Sequence, residues 1–178
     1  MIITISGLHG TGKSAVGKAI AVKLELKYYS TGEAFRETAN DMNMSLEDFS
    51  YYVENHPEID EKLDNKILDI GQEGDIVIDS QLSGHLLKEV ADFKILLSCP
   101  LDTRVKRMAD RDQTTYEEKL KETLLREKSE RERFKILYNI DLGDNEKAIT
   151  VYDIIINTAD LTVEEVIEKI ISEIKNYI

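Results

Sequence analysis

Residues 7–14 read GLHGTGKS, in which two glycines stand five positions apart and the second is followed directly by lysine and serine. The run before them, MIITIS, is apolar and β-branched, whereas the run after them, AVGKAIAVKL, repeats its apolar residues at helical spacing. A strand that enters such a loop and a helix that leaves it are the frame of the phosphate-binding P-loop, Gly-x4-Gly-Lys-Ser. This frame favours an α/β domain that carries the loop at the carboxyl edge of its sheet.

Each residue type in this motif suits phosphate binding. The glycines let the backbone curl so that its N–H groups point at phosphate oxygens, and a helix that starts near Lys13 directs its positive end at the same anion. Lys13 is predicted to reach the β- and γ-phosphates as a catalytic residue, and Ser14 to ligate Mg²⁺. A structural turn with a surface lysine is the alternative, and the strand and helix around the loop disfavour it. The predicted nucleotide-binding residues of the loop are Gly7, Leu8, His9, Gly10, Thr11, Gly12, Lys13, Ser14 and Ala15.

Composition and net charge limit the kinds of molecule that the protein is expected to bind. The 178 residues carry a net charge of −12 at pH 7, which argues against broad binding to nucleic acids or anionic membranes. Strand-like residues at the start leave no room for a signal peptide, and no apolar run is long enough to span a membrane. The single cysteine, Cys99, fits a reducing compartment. We therefore expect a cytoplasmic, monomeric protein that acts on small molecules.

Five short apolar runs predict strands, and longer runs with helical spacing separate them. This alternation predicts one α/β domain with a five-stranded parallel sheet flanked by helices. Helix starts are predicted at Ser30-x-x-Glu33, at Pro57 and at Thr162-x-x-Glu165. The predicted strands are 2–6, 27–30, 75–79, 93–98 and 152–157.

Two helical stretches, about 33–72 and about 112–146, are longer than a single crossover between strands requires. Neither has the Pro, Gly and Ser composition of a linker, so we interpret both as excursions over the ligand end of the sheet. A phosphate-binding sheet with two helical excursions suggests a kinase that closes over two nucleotides.

Two candidate residues follow predicted strands. Arg36 lies one helical turn after Gly32, where a guanidinium can hold a phosphate in bidentate fashion; an exposed helical arginine is the alternative. Asp79 ends the third strand, where a carboxylate can hold hydrated Mg²⁺ opposite Ser14. A helix cap for the segment at 83–90 is the alternative for Asp79.

Further arginines are concentrated in two runs, LDTRVKRMADRD at 101–112 and REKSERERFK at 126–135. Phosphoryl transfer needs positive charge around the transferring group, and arginine is the expected source. The alternative is a solvated helix with Glu–Arg pairs such as Glu127–Arg131. Few apolar residues occur at 126–133, which predicts a mobile lid that packs weakly. The candidates are Arg107 and Arg111 in the first run and Arg126, Arg131 and Arg133 in the second.

With these residues in place, the chain resembles the archaeal-type cytidylate kinases of the nucleoside monophosphate kinase family nearly end to end. The resemblance implies the three-layer P-loop nucleoside monophosphate kinase fold and transfer of the γ-phosphoryl group of ATP to CMP, and often dCMP, with Mg²⁺. Adenylate kinase is the alternative among enzymes, and a regulatory module that binds ATP without turnover is the alternative outside them. The stretches that carry the resemblance are GLHGTGKS, STGEAFRE, MSLEDFS, PEIDEKLD, REKSERERFKILYNIDL and YDIIINTADLTVEEV.

The resemblance also implies roles for individual residues. It makes Arg36 a ligand of the acceptor phosphate, places Arg107 against the ATP base and places Arg111 near the ATP phosphates. It makes Asp153 a residue that orients the lid arginines. The lid arginines implied to close on the transferring group as catalytic residues are Arg126, Arg131 and Arg133.

One departure from the family pattern concerns the acceptor. Relatives commonly have Glu-Gly-Arg after the third strand, whereas this chain has Asp79-Ser80-Gln81. Gln81 can donate a hydrogen bond but carries no charge, so we expect a weaker clamp on the acceptor phosphate. The predicted substrate-binding residues are Gly32, Arg36, Asp79 and Gln81.

Overall fold

The apolar runs of the sequence form a parallel β-sheet, and the longer runs form helices around it. The computed structural model describes residues 1–177, except the side chains at positions 145, 147 and 177. The strands are β1 Ile2–Ser6, β2 Lys27–Ser30, β3 Ile76–Asp79, β4 Phe93–Ser98 and β5 Ile154–Asn157. The helices are α1 Lys13–Lys23, α2 Thr31–Asp41, α3 Leu46–Glu54, α4 Pro57–Glu73, α5 Ser83–Leu86, α6 Leu101–Asp112, α7 Tyr116–Tyr138, α8 Asn145–Val151 and α9 Val163–Tyr177.

Neighbouring strands all run parallel, in the order β2-β3-β1-β4-β5, which confirms the predicted five-stranded sheet. Two strands begin later than predicted. The third begins at Ile76 because Asp75 has a φ of 48°, and the fifth begins at Ile154 because the Tyr152 N–H still bonds to the last turn of α8. Since β3 lies between β1 and β2, its last residue, Asp79, lies beside the ends of both.

Apolar side chains cover both faces of the sheet. On one face, α1 and α9 bury Ile20 and Ile170 in a cluster that includes Val77. On the other face, α4 buries Ile67 in a second cluster that includes Ile78. Successive residues of β3 therefore face opposite layers, as strand geometry requires. The helix–sheet–helix layering predicted for the fold is confirmed.

The predicted helix starts are confirmed at three places. Ser30 Oγ accepts a hydrogen bond from the N–H of Glu33 at 3.3 Å, and Pro57 is the first residue of α4. Thr162 Oγ1 accepts from the N–H of Glu165 at 3.2 Å, and the carboxylate of Glu165 accepts from the N–H of Thr162 at 2.8 Å. Ser30 both ends β2 and caps α2, so α2 begins directly at the carboxyl edge of the sheet.

Both helical excursions lie at that edge. In the first, α2, α3 and α4 share a small core in which Phe35 and Phe49 are buried with ring centroids 4.6 Å apart. In the second, α7 packs against α6 and also against α3. The two excursions therefore face each other across the strand ends.

In the part of the chain that the structure describes, no helix combines the length and the apolar character needed to cross a membrane. The longest helix, α7, has 23 residues and is charged along its whole length.

Candidate active site

The loop between β1 and α1 needs glycine at two positions. Gly10 has a φ of 81°, and a Cβ there would lie 2.8 Å from the carbonyl oxygen of Arg104. Gly12 has a φ of 95° and directly precedes α1. L-residues rarely adopt either conformation, so the curled loop depends on these glycines.

Six of the nine predicted loop residues face a cleft of about 630 Å³ between the two excursions. The other three line a smaller cavity of about 150 Å³ behind the loop. The residues at the cleft are His9, Gly10, Gly12, Lys13, Ser14 and Ala15, and those behind the loop are Gly7, Leu8 and Thr11.

Lys13 is the first residue of α1, and its ammonium group is turned back onto the loop backbone. Its Nζ donates to the carbonyl oxygen of Leu8 at 3.0 Å. Burial lowers the pKa of Lys13, and Arg126 and Arg104 lower it further, against the opposing effect of Asp79 and Glu130. An ammonium has three donors, so two remain for an anion in the cleft.

Asp79 is the meeting point of three hydroxyl groups at the end of β3. Its Oδ2 accepts from Ser14 Oγ at 2.6 Å, from the Tyr28 hydroxyl at 3.0 Å and from Ser30 Oγ at 3.2 Å, and its side chain is buried. Burial, followed by the charge of Asp79, raises the pKa of Tyr28, so this hydroxyl remains a donor. The predicted juxtaposition of Ser14 and Asp79 is therefore present.

The same two side chains fit a magnesium ion. Magnesium prefers oxygen ligands and usually keeps several waters, with few protein ligands besides substrate phosphates. Ser14 and Asp79 offer a hydroxyl and a carboxylate at the foot of the loop. Within residues 1–177 there is no cluster of three His, Cys, Asp or Glu side chains that could hold a metal ion by itself. A metal here would therefore depend on the bound nucleotide for further ligands.

A buried carboxylate, Glu130 of α7, joins the loop to the lid. Its Oε2 lies 2.7 Å from His9 Nε2 and accepts from Gln81 Nε2 at 2.8 Å, and Arg126 Nε lies 3.3 Å from its Oε1. Burial raises the pKa of Glu130, but His9, Arg126 and Gln81 outweigh burial and hold it well below its usual range. Burial lowers the pKa of His9, so the neutral ring donates from Nε2 to Glu130. Sequence reasoning missed Glu130 because it took only the arginines of this stretch as candidate site residues.

Gln81 lines the cleft, as expected for a substrate-binding residue, but its amide group bonds to the lid. Its Oε1 is buried and has no hydrogen-bond partner among residues 1–177. Contact between Gln81 and an acceptor phosphate stays a prediction.

Two of the three lid arginines line the cleft. Arg126 lies over the Phe35 ring at 5.6 Å, and Arg133 Nε donates to Asp60 Oδ2 at 2.7 Å. The burial of Arg133, Glu130 and their neighbours on α7 shows that the prediction of weak packing for this stretch is wrong for those residues. Within the lid, α7 crosses the cleft as one continuous helix.

Arg131 points away from the cleft. Its Nη2 donates to Asp141 Oδ1 at 3.2 Å, and its side chain is half exposed. The alternative pair Glu127–Arg131 is also absent, because Glu127 binds the buried Arg104 of α6 instead. A catalytic role for Arg131 stays a prediction, and it requires this part of the lid to move.

The remaining predicted arginines also line the cleft, one from α2 and two from α6. Arg36 is exposed at the cleft beside Gly32, where a Cβ would lie 3.7 Å from Arg36 Nη1. Arg107 is fixed by the loop after β5, since it donates to the carbonyl of Thr158 at 2.6 Å. Arg111 is exposed and paired with Asp112 through two hydrogen bonds of 2.6 and 2.9 Å.

Asp153 does not orient the lid, and the role implied for it is wrong. It precedes β5, at the amino edge of the sheet, where it accepts from the N–H of Lys94 at 2.8 Å and pairs with Lys94 Nζ at 3.0 Å. The cleft lies at the opposite, carboxyl edge. Asp153, which directly precedes β5, therefore links the start of β5 to the start of β4.

The outer part of the cleft is apolar on several sides and carries two acidic residues of α4. Asp60 is bonded to Arg133, whereas the Oδ2 of Asp64 is buried without a hydrogen-bond partner among the described residues. Sequence reasoning missed both, and their i, i+4 spacing on the predicted helix is the only signal that pairs them. The apolar residues at this part of the cleft are Phe35, Leu46, Leu63 and Phe134.

Solved structures with the same fold include shikimate kinases. Shikimate kinase from Bacteroides thetaiotaomicron aligns over 98% of both chains with a TM-score of 0.67 and 15% identity. An uncharacterized protein from Eubacterium ventriosum aligns over 98% of both chains with a TM-score of 0.69 and 21% identity. At these identities the likeness establishes the P-loop kinase fold alone.

Proteins related in sequence identify the family as well as the fold. The chain is 38% identical over 179 aligned residues to a protein named cytidylate kinase from Methanocaldococcus jannaschii, which covers 99% of this chain and 98% of the relative. It is 40% identical over 159 residues to another of that name from Thermococcus kodakarensis, covering 89% and 80% of the two chains. The sequence model of the cytidylate kinase-like family matches residues 2–160. The chain therefore belongs to the cytidylate kinase-like family.

Proposed function

We propose that the protein transfers the γ-phosphoryl group of ATP to CMP, and also to dCMP, giving ADP and the corresponding diphosphate. The observation that carries this proposal is that one cleft holds both the P-loop with Lys13 and arginines from the two helical excursions, Arg36, Arg126 and Arg133. A phosphoryl donor and a phosphorylated acceptor can thus be bound on opposite sides of the same space. Family membership and the names of the relatives support the choice of CMP.

The donor side is formed by the P-loop and α6. The backbone N–H groups of the loop and Lys13 bind the ATP phosphates, Arg107 lies against the base and Arg111 lies near the phosphates. Ser14 and Asp79 would hold Mg²⁺, and the ion would supply positive charge to the ATP phosphates. The rigid attachment of Arg107 to Thr158 supports a positioning role, because its guanidinium is already fixed at the cleft.

The acceptor side begins at Arg36. Arg36 binds the CMP phosphate, with help from Gln81, and this holds one phosphate oxygen in line with the γ-phosphorus. That oxygen forms the new P–O bond while the bond to the β-phosphate oxygen breaks, and the charge moves to ADP. Arg126 and Arg133 stabilise the negative charge on the transferring group, which is the main catalytic need in this chemistry.

We further propose that the lid, residues 112–146, closes when both nucleotides are bound. Arg131 supports this step, because it can reach the transferring group only if its pair with Asp141 opens. All these groups belong to one chain, so we propose that the protein acts as a monomer.

The test is an assay of ADP formation from ATP and Mg²⁺ with CMP, dCMP, UMP, AMP and GMP in turn. We expect CMP and dCMP to be phosphorylated most efficiently. A preference for AMP would make the protein an adenylate kinase. ATP binding without turnover of any acceptor would make it a regulatory module.

A further inference from the structure

We propose that Asp64 selects cytosine over uracil in the acceptor pocket by accepting a hydrogen bond from the 4-amino group of the base. This inference rests on the proposed function, because it takes CMP as the acceptor. It assigns base specificity to one carboxylate of α4.

The first support is the state of the side chain. Asp64 lines the cleft but is only 6% exposed, and its Oδ2 has no hydrogen-bond partner among residues 1–177. A buried polar atom without a partner costs free energy, and a charged one costs more. A ligand that donates a hydrogen bond to Asp64 would recover part of that cost.

The second support is the contrast with Asp60, one helical turn earlier on α4. Asp60 is as buried as Asp64, but Arg133 donates to its Oδ2 at 2.7 Å. The cation from α7 therefore neutralises Asp60 and leaves Asp64 without an ion pair among the described residues. The hydroxyl of Tyr138 is close enough to lower the pKa of Asp64, but neither this hydroxyl nor Asp64 Oδ2 has a hydrogen bond of good geometry among the described residues. Of the two carboxylates, Asp64 is the one available to a ligand.

The third support is the surrounding surface. Phe35, Leu46, Leu63 and Phe134 line the same part of the cleft and can cover the faces of an aromatic base. Arg126 and Arg133 also border this part, over Phe35 and in a pair with Asp60, but the acceptor phosphate is proposed to bind at Arg36. A nucleotide with its phosphate there directs its base, not its phosphate, toward the apolar part that contains Asp64.

The chemistry of the two pyrimidines then decides the selectivity. Burial, together with the neighbouring charge of Asp60 and against the lowering effect of the Tyr138 hydroxyl, raises the pKa of Asp64 to about 6, so near pH 8 the ionised group can only accept. Cytosine presents a donor at position 4, the amino group. Uracil presents an acceptor, O4, which would meet the carboxylate oxygen with repulsion. Asp64 thus favours CMP and disfavours UMP.

The experiment compares three acceptors at pH 8: CMP, UMP and the pyrimidin-2-one ribonucleoside 5′-monophosphate, which is CMP with hydrogen in place of the amino group. For the unaltered protein we expect kcat/KM for CMP to exceed that for the pyrimidin-2-one nucleotide by about ten- to a hundredfold. Equal values would overturn the proposal without any variant. No turnover of CMP would instead refute the proposed function.

The variant Asp64→Asn should reduce the CMP:UMP ratio of kcat/KM by about tenfold or more, because an amide can donate to O4 of uracil. Asp69→Asn is the matched control, since Asp69 is exposed on the same helix, and it should leave the ratio unchanged. Tyr138→Phe tests whether Asp64 acts only by holding that hydroxyl, and it too should leave the ratio unchanged. An Asp64→Asn enzyme that loses activity toward CMP and UMP equally would overturn the proposal, because Asp64 would then bind the sugar or support the fold.

Discussion

The floor of the cleft and its outer wall are built by different means. The floor consists of residues 7–15 and Asp79, and it is held by backbone conformation and by hydroxyl groups at adjoining strand ends. The wall consists of α4 and α7, and it is held by ion pairs between residues far apart in the chain, such as Asp60 with Arg133. The floor is therefore complete once the sheet has formed, whereas the wall also requires two helices to approach. We expect changes in the floor to impair catalysis, as changes at the arginines of α7 would, and changes at the carboxylates of α4 to alter selectivity and stability.

The largest expected effect on catalysis comes from a change in the floor, at Lys13. Lys13→Ala should reduce kcat by at least about a hundredfold, because one preorganised cation at the transferring phosphate is lost. The fold should survive, since the only bond of Lys13 in the described residues is to the carbonyl of Leu8. Steady-state kinetics and thermal unfolding measure the two effects, with Lys23→Ala, exposed on the same helix, as the control. Undiminished kcat in a folded variant would remove Lys13 from the mechanism.

Arg36 stands between floor and wall and should behave as a binding residue. Arg36→Ala should raise KM for CMP by about ten- to a hundredfold, because a charge-assisted bond to the acceptor phosphate is lost. The effect on kcat should be smaller, since the phosphate is held in the ground state and the transition state alike. Lys62→Ala, exposed on α4, is the control. A fall in kcat with no change in KM would move Arg36 to the catalytic group.

The difference between floor and wall also explains what the sequence could predict. The P-loop, the five strands and the pairing of Ser14 with Asp79 follow from local patterns: a spaced motif, apolar runs and the known position of strand ends. Glu130 and Asp64 could not be found in this way, because their roles depend on which helix faces which. In sequence, Glu130 is one of many charged residues on α7, and only the packing of α7 over the cleft buries it.

The energetic cost of burying the Asp64 carboxylate in the wall should appear as a pH dependence of the free energy of unfolding. Its pKa is raised to about 6 in the folded protein from an ordinary value of 3.8. Its favourable contribution is therefore complete below pH 3.8 and is lost as pH rises through 6. At pH 8 the buried charge is present, so Asp64→Asn should raise the free energy of unfolding by about 1–3 kcal/mol, and by less at pH 5.

Urea unfolding at both pH values measures this effect, and Asp69→Asn should show no such difference. An equal gain at pH 5 and pH 8 would mean that the pKa of Asp64 is not raised in the folded protein, and that the gain has a cause other than the buried charge.

The lid should respond to both nucleotides more than the floor does. Amide hydrogen exchange at 126–133 should slow by about tenfold when an analogue that joins ATP and CMP binds, because the lid then closes on the transferring group. The central strand β1 provides an internal control with slow exchange in both states. Equal exchange at 126–133 with and without the analogue would show that the packed helix seen here is already the closed form.

The smallest expected effect is that of a change at Gln81, the position at which the chain departs from the family pattern. Gln81 donates to Glu130 at 2.8 Å and lines the cleft, so an arginine there would keep the bond to Glu130 and present its other N–H groups to the acceptor phosphate. Gln81→Arg should lower KM for CMP by about three- to tenfold with little change in kcat. It should also lessen the damage of Arg36→Ala when the two changes are combined, because two cations would then share the phosphate. Gln72→Arg, exposed on α4, controls for the added charge. An unaltered KM in Gln81→Arg would show that Gln81 serves only to tie the lid to the loop through Glu130, and that Arg36 is the sole cation on the acceptor phosphate.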